Sequence, residues 1–222
     1  MAHIGRARTV LLMFFLAGCA AFAVGGQFQS GRRALLINDP ETALAYFQEV
    51  AAKDPNYFYR SVDFRENIWT YLGRAQYETK RYPEARKSLE QALSLDRDDN
   101  LARLYLGLTL VRSGDQARGV KEIENGMQGI FDFLEYMNRT RPLQAFWDPL
   151  GHIRGSIQKD LSAISSRDFD PEQLIENAEW LGKQMEEEVD NVREDERRQL
   201  DRNLDGDHRG GHGVGIGIGV GF

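Results

Sequence analysis

The chain has 222 residues, a formal net charge of −6, a charged fraction of 28% and a single cysteine. That length holds one compact domain with a targeting segment and a tail. The acidic balance and the lack of a basic stripe exclude nucleic acid, whose phosphates demand clustered cations; one cysteine excludes a disulfide framework within the chain.

In chain order, Arg6 and Arg8 supply a positive start, Val10 to Leu16 a short apolar stretch, and Leu16-Ala17-Gly18-Cys19 small residues at a processing site. This is the layout of a secretory signal peptide over residues 1–19. The last four residues resemble the lipobox of bacterial lipoproteins. That resemblance implies that Cys19 is lipidated and anchors the chain to a membrane. Ala20 replaces the aspartate that marks inner-membrane retention in many lipoproteins, which implies the periplasmic face of the outer membrane. A second reading stays open. Thr9 to Gly26 is an uncharged run of 18 residues, at the lower limit for a membrane-crossing helix. The segment would then be an uncleaved apolar anchor in the inner membrane.

Internal repetition follows. Leu72-Gly73 recurs as Leu106-Gly107, Ala85 as Gly119 and Leu89 as Ile123, each at an offset of 34 residues. Trp69-x2-Leu72-Gly73, Ala85-x3-Leu89 and Ala92-Leu93 closely resemble the signature of the tetratricopeptide repeat (TPR). Gln76 and Arg97 depart from it, standing where tyrosine and proline are usual. The resemblance implies an all-α, helix-turn-helix solenoid. Gly73, Ala85, Gly107 and Gly119 are small where paired helices cross, and Leu89 and Ala92 fill the seam toward the next repeat. Pro83 suits the first turn of a helix, and Asp96, Asp98, Asp99 and Asn100 offer caps before the next one.

Upstream, Ala43-x3-Phe47, Val50-Ala51 and Asp54-Pro55-Asn56 read as a second repeat helix and its exit turn, capped by Asn38 or Asp39 with Pro40 first. Its partner helix spans Gln27 to Ile37, with Gly31 at the crossing. Ala43 to Ala85 is 42 residues, so about 8 extra residues lie between these repeats. They are expected in Phe58 to Arg65, lengthening a helix or a loop. Three repeats result, 24–57, 66–99 and 100–133, about the minimum for a stable stack.

An apolar stripe from Ile123 to Met137 continues the third repeat's last helix to Asn138, and Arg141-Pro142 breaks it. Asp148 as cap and Pro149 in the first turn start another helix, buried through Ile153, Ile157, Leu161 and Ile164. Asp170-Pro171 starts a final one, with Leu174, Ala178, Leu181, Met185 and Val192 as its stripe. Residues 134–204 are therefore expected to be capping helices. The last is strongly acidic, with 11 acidic and 4 basic residues from Asp170 to Leu200. It is read as a solvated face or as a docking surface for a basic partner. Residues 205–222 read as a flexible glycine-rich tail. Within it Gly213 to Phe222 alternate glycine with apolar residues at strand period. It would serve as a plain end, as a strand added to a partner's sheet, or as a self-associating segment.

No catalytic, metal or cofactor constellation appears. His152 stands alone on a helix, and His208 and His212, four apart in the tail, lack further ligands. In TPR domains the first helix of each repeat lines a concave groove. By that resemblance Asn67, Thr70, Arg74, Tyr77 and Glu78 face a protein or peptide partner from the middle repeat. Leu101, Leu104, Leu108, Val111 and Arg112 do so from the third. A helix this rich in leucine must be covered on both sides, by another molecule, by the Phe131–Trp147 segment or by the last helix. With self-covering, the free groove is the polar part near Arg74 and Tyr77. The expected function is a non-enzymatic, membrane-anchored scaffold of the cell envelope, of the kind that assists assembly of outer-membrane, pilus or secretion complexes. The alternative is a structural envelope protein whose tail drives oligomerisation or membrane association.

Overall fold

The computed structural model describes residues 23–61, 63–140 and 147–209, with side chains as far as residue 202. Cys19 with the rest of the expected signal segment, and the alternating glycine run, lie outside the described residues. The elements in order are α1 (23–36), α2 (Pro40–Lys53), β1 (Phe58–Ser61), β2 (Phe64–Asn67), α3 (Ile68–Glu78) and α4 (Tyr82–Leu95). Then come α5 (Asn100–Arg112), α6 (Gln116–Thr140), α7 (His152–Ser166) and α8 (Pro171–Arg209). Among the described residues no helix is long and apolar enough to cross a membrane.

Helices pair as α1/α2, α3/α4 and α5/α6, and local chemistry sets each boundary. Asp39 caps α2 by accepting from the Thr42 N–H at 3.2 Å. Asn67 caps α3 through Trp69 at 2.9 Å, and Asp99 caps α5 through Ala102 at 2.8 Å. Each turn inside a pair ends in one residue of left-handed backbone: Asn38 and Lys80 at φ 61°, Gly114 at φ 92°. The next N–H then reaches back five residues, from Asp39 to Ala34, Arg81 to Gln76 and Asp115 to Leu110, at 2.7 to 2.9 Å. These are Schellman turns, which satisfy carbonyls orphaned at a helix end. Asn38 therefore shapes the turn and Asp39 supplies the cap.

The small residues mark close crossings. A Cβ on Gly31 would lie 2.6 Å from the Phe47 ring, and one on Gly73 2.5 Å from Leu89 Cγ. On Gly107 it would meet the Ile123 nitrogen at 2.6 Å and the Gly119 carbonyl at 2.7 Å. Ala85, Leu89 and Ala92 are fully buried in the seam; Leu72 and Leu106 are buried beside them. Trp69 is half-buried and donates its indole N–H to the Pro55 carbonyl at 2.8 Å.

The inserted residues correct the sequence expectation. Phe58–Ser61 and Phe64–Asn67 lengthen neither a helix nor a loop but pair as antiparallel strands of a hairpin, with Phe58 opposite Asn67 and Ser61 opposite Phe64. Tyr59 and Ser61 on one strand, and Phe64 and Glu66 on the other, turn inward, while Arg60 and Arg65 face out. Tyr59 joins an aromatic cluster with Phe28 (5.1 Å between centroids) and Tyr71 (6.2 Å). Phe64 packs on Trp147 at 5.8 Å, which also meets Phe133 at 5.0 Å. The hairpin thus ties the first repeat to the turn before α7.

Two boundaries further along also differ from expectation. α7 begins at His152, not at Pro149, because Gly151 enters it in left-handed backbone. Asp148 still caps it from outside, accepting from Ile153 and Arg154 N–H at 3.0 Å each. Asp205 to Arg209, expected in the tail, continue α8, a helix of 39 residues and about 58 Å.

The glycine crossings give a ranking. Gly107→Ala presses a methyl on backbone atoms, whereas Gly73→Ala presses mainly on the Leu89 side chain, which can rotate. Overpacking costs about 1–3 kcal/mol. Urea unfolding should show Gly107→Ala losing clearly more stability than Gly73→Ala.

Candidate functional site

The inner face of the stack is formed by α1, α3 and α5, and α8 runs back along it. Its N-terminal part lies at the C-terminal ends of α5 and α3, through Glu172–Arg112 and Glu179–Tyr77. Its middle reaches α1 through Glu186–Arg32, and Arg193 reaches the hairpin at the Tyr59 hydroxyl. The helix is therefore antiparallel to the three it covers. Leu174, Ile175, Ala178, Leu181, Met185, Val189 and Val192 are all buried, at the i, i+3, i+4 spacing of an apolar face. Gly182 lets α8 approach, since a Cβ there would collide with the Tyr105 hydroxyl. α7 packs against both α6 and α8, where Asn177 donates to Asp160 at 2.7 Å.

The contacts are also polar. Glu172, Glu179 and Glu186 recur every seven residues, two helical turns, and so share one side of α8. Arg112 pairs with Glu172 at 3.0 Å and with Glu179 at 3.7 Å. The Tyr77 hydroxyl donates to Glu179. Glu186, 2% exposed, binds Arg32 at one oxygen and Arg74 at the other, the latter at 3.2 Å. Asp190 adds a second carboxylate to Arg32 at 3.0 Å, and the Tyr59 hydroxyl accepts from it at 3.0 Å.

The polar segment expected to stay free is therefore closed by the chain's own last helix. Arg74 is only 4% exposed, held by Glu186 and, at 2.9 Å, by Glu78. Asn67 and Thr70 turn instead to Asp99, at 3.2 and 2.6 Å. The leucine-rich α5 is covered by α4 and α6 and, on its inner side, by α8. Sequence reasoning missed Arg32, Glu186 and Glu66. The seven-residue recurrence of glutamate was the available signal for Glu186.

Electrostatics follow the burial. Desolvation opposes the charge on Arg32 and Arg74, and the acidic and tyrosine groups around them outweigh it, so both guanidinium groups are held above their ordinary range. Glu66, 3% exposed, is pushed well up by burial and by the nearby charges of Asp99 and Glu186. Burial raises Asp99 to about 6, against the hydrogen bonds from Thr70 and the Ala102 N–H.

Clefts remain beside α8 at both ends of the inner face. A cleft of 510 Å³ lies where the turns after α1 and α3 meet α8, lined by Tyr77, Lys80, Tyr82, Tyr105, Arg112 and Lys183. Tyr77, Glu78 and Arg112 are the three sequence-predicted groove residues that reach it together. Among the described residues no cluster of three or more His, Cys, Asp or Glu has the geometry to hold a metal ion.

The paired helices, small crossing residues and inner face agree with a family comparison, in which residues 34–106 match the tetratricopeptide repeat. The stack carries a tetratricopeptide-repeat segment. Its fold is a helical TPR solenoid, interrupted by one hairpin. No curated protein matches the chain. Among solved structures it is similar to one described as "Crystal structure of MamA", at 16% sequence identity and a TM-score of 0.42, over 73% of this chain and 80% of that one.

Two measurements test the TPR inner face. Removing one partner of a buried ion pair costs about 3–5 kcal/mol, so Glu186→Ala should lower the urea midpoint by that equivalent. Hydrogen exchange should show α8 opening before α3 and α5. The raised carboxyls set the pH dependence. Each binds its proton more tightly in the fold than in the open chain, so the stability it confers is full at low pH and lost as pH rises. For Asp99 the loss runs from about 4, the unfolded value, to about 6. For Glu66 it starts at about 4.3 and continues upward. Glu66→Gln should raise the thermal midpoint at about pH 8 and change it little at about pH 4, as read by circular dichroism.

Proposed function

We propose that this protein is a non-enzymatic TPR scaffold, held at a bacterial envelope membrane by its N-terminal segment, that binds a protein partner in a cleft at one end of its inner face. The repeat segment supports the general role, because TPR solenoids serve protein–protein interaction. The observation that supports the location is the closure of the middle of the inner face by α8, beside which the Tyr77–Arg112 cleft stays accessible.

Lipidation of Cys19, with the periplasmic face of the outer membrane as destination, is the anchoring we favour, on the lipobox resemblance of Leu16 to Cys19. Assembly of an outer-membrane, pilus or secretion complex is the process such a scaffold would assist.

The closed face decides how the role is tested. Arg74 and Tyr77 hold α8, so changing them disturbs the fold together with any binding. Lys80 and Arg86 are both exposed, and of the two only Lys80 lines the cleft. A photo-crosslinking residue placed at Lys80 in intact cells should capture a defined partner by mass spectrometry, and one at Arg86 should not. Equal capture from both, or none from Lys80, removes the cleft from the function. Cys19→Ser should abolish acyl labelling and release the protein from the membrane fraction; retained labelling or location refutes the lipid anchor.

A further inference from the structure

The hairpin builds a small cavity that the repeats alone would not have. It measures 160 Å³ and lies where the hairpin meets the start of α5, the middle of α6 and α8. Phe64, Leu101, Ile130, Phe133 and Met185 supply apolar walls, and the Phe64 and Phe133 rings stand edge to face at 6.1 Å. The charged lining is Asp63, Glu66, Asp98 and Asp99 with, among the described residues, one cation, Arg65. The Arg65 guanidinium lies over the Phe58 ring at 4.0 Å. Burial is graded: Asp63, Arg65 and Asp98 are exposed at the mouth, whereas Glu66 and Asp99 are buried. Both Asp99 oxygens are engaged inside the fold, by the Ala102 N–H, Thr70 and Asn67. Glu66 differs. It is 3% exposed, and its Oε1 has no hydrogen-bond partner among the described residues. A buried polar atom without a partner is costly, and in so acidic a lining the partner it calls for is a donor with positive charge.

We infer that this cavity is a binding site for a primary ammonium group on an aliphatic stem, with Glu66 as charge partner and the apolar walls enclosing the stem. The site stands apart from the scaffold reading, which concerns the Tyr77–Arg112 cleft. The sign of the lining selects a cation. Size selects a short chain: a cavity of about 150 Å³ holds a molecule as small as benzene, and this one is 160 Å³. A bare metal ion takes oxygen ligands on most sides, whereas five of the lining side chains carry no oxygen. In the empty site burial and the charges of Asp99 and Glu186 hold the proton on Glu66, with Tyr71 and Arg74 of α3 also facing it; α6 brings only apolar groups. An ammonium ion favours the carboxylate. The proton of Glu66 therefore passes to solvent as the cation enters, and an ammonium–carboxylate pair is left.

The test titrates the full chain by calorimetry with n-pentylamine, with n-pentanol as its neutral counterpart, and with Nα-acetyl-lysine N-methylamide. At least one of the two amines should bind about tenfold tighter than the alcohol, a margin of about 1.4 kcal/mol. Its affinity should be higher at about pH 8 than at about pH 6, because less proton remains to be displaced. Glu66→Gln should remove both the preference over the alcohol and the pH dependence with the circular dichroism spectrum unchanged. Asp98→Asn, at an exposed position, should weaken binding severalfold. The two amines separate the sources. Binding of the lysine derivative as tight as that of pentylamine supports a lysine side chain of another protein as occupant, and binding of pentylamine alone supports a free amine. Equal binding of the alcohol, unchanged binding in Glu66→Gln, or binding of neither amine overturns the assignment.

Discussion

Glu186 places a single negative charge between two arginines, Arg32 on α1 and Arg74 on α3, all three nearly sealed from solvent. An unpaired charge in such a setting is very costly, and the pairing has geometric consequences. It fixes the rotation of α8, since only one side of the helix carries Glu172, Glu179 and Glu186 at seven-residue intervals. It fixes its register too, because each glutamate meets a different position: Arg112, then Tyr77 with Arg112, then Arg74 with Arg32. The apolar stripe beside them contributes most of the burial energy, but apolar contacts alone would tolerate sliding. The charges make one alignment far better than its neighbours.

The repeat stack gives α8 a surface it can fit. Gly31, Gly73 and Gly107 let the two helices of each pair approach until side chain or backbone of one touches the backbone of the other. Schellman turns of one kind keep the pairs in similar geometry, whether the left-handed residue is Asn38, Lys80 or Gly114. The hairpin breaks this regularity usefully. Its Tyr59 hydroxyl accepts from Arg32 and from Arg193, at 3.0 and 3.2 Å, so the insertion joins α1 to the distal part of α8. Its Phe64 meets Trp147, where the Asp148 N–H donates to Glu188 of α8. One insertion thus secures the returning helix at two places.

A solenoid whose inner face is filled by its own last helix presents a different surface from an open one. The side chains that would read a partner along the groove are engaged inside the molecule, and clefts remain only beside α8, among them the one where the turns after α1 and α3 face it. The carboxylates left beneath, Glu66 and Asp99, are raised by burial, so the closed arrangement carries a built-in preference for acidic conditions. The ion pairs that place α8 and the buried Glu66 therefore lie in one layer between α8 and the repeats.

The sequence was sufficient for the repeats because the relevant physics is local and periodic. Small residues at helix crossings recur at 34 residues, and caps such as Asp39, Asn67 and Asp99 stand directly before the helices they serve. The apolar stripe of α8 was readable for the same reason. The hairpin was less so: Glu66 occupies an inward position and breaks the polar–apolar alternation by which a strand is recognised. Where α8 goes was decided only by tertiary structure. Its glutamates read as solvated or as a docking face because charge on a helix is ordinarily exposed. Their partners, Arg32, Arg74 and Arg112, lie 60 to 154 residues away, and no local pattern connects positions so distant. Pairing across that separation exists only once the stack has brought three arginines onto one face.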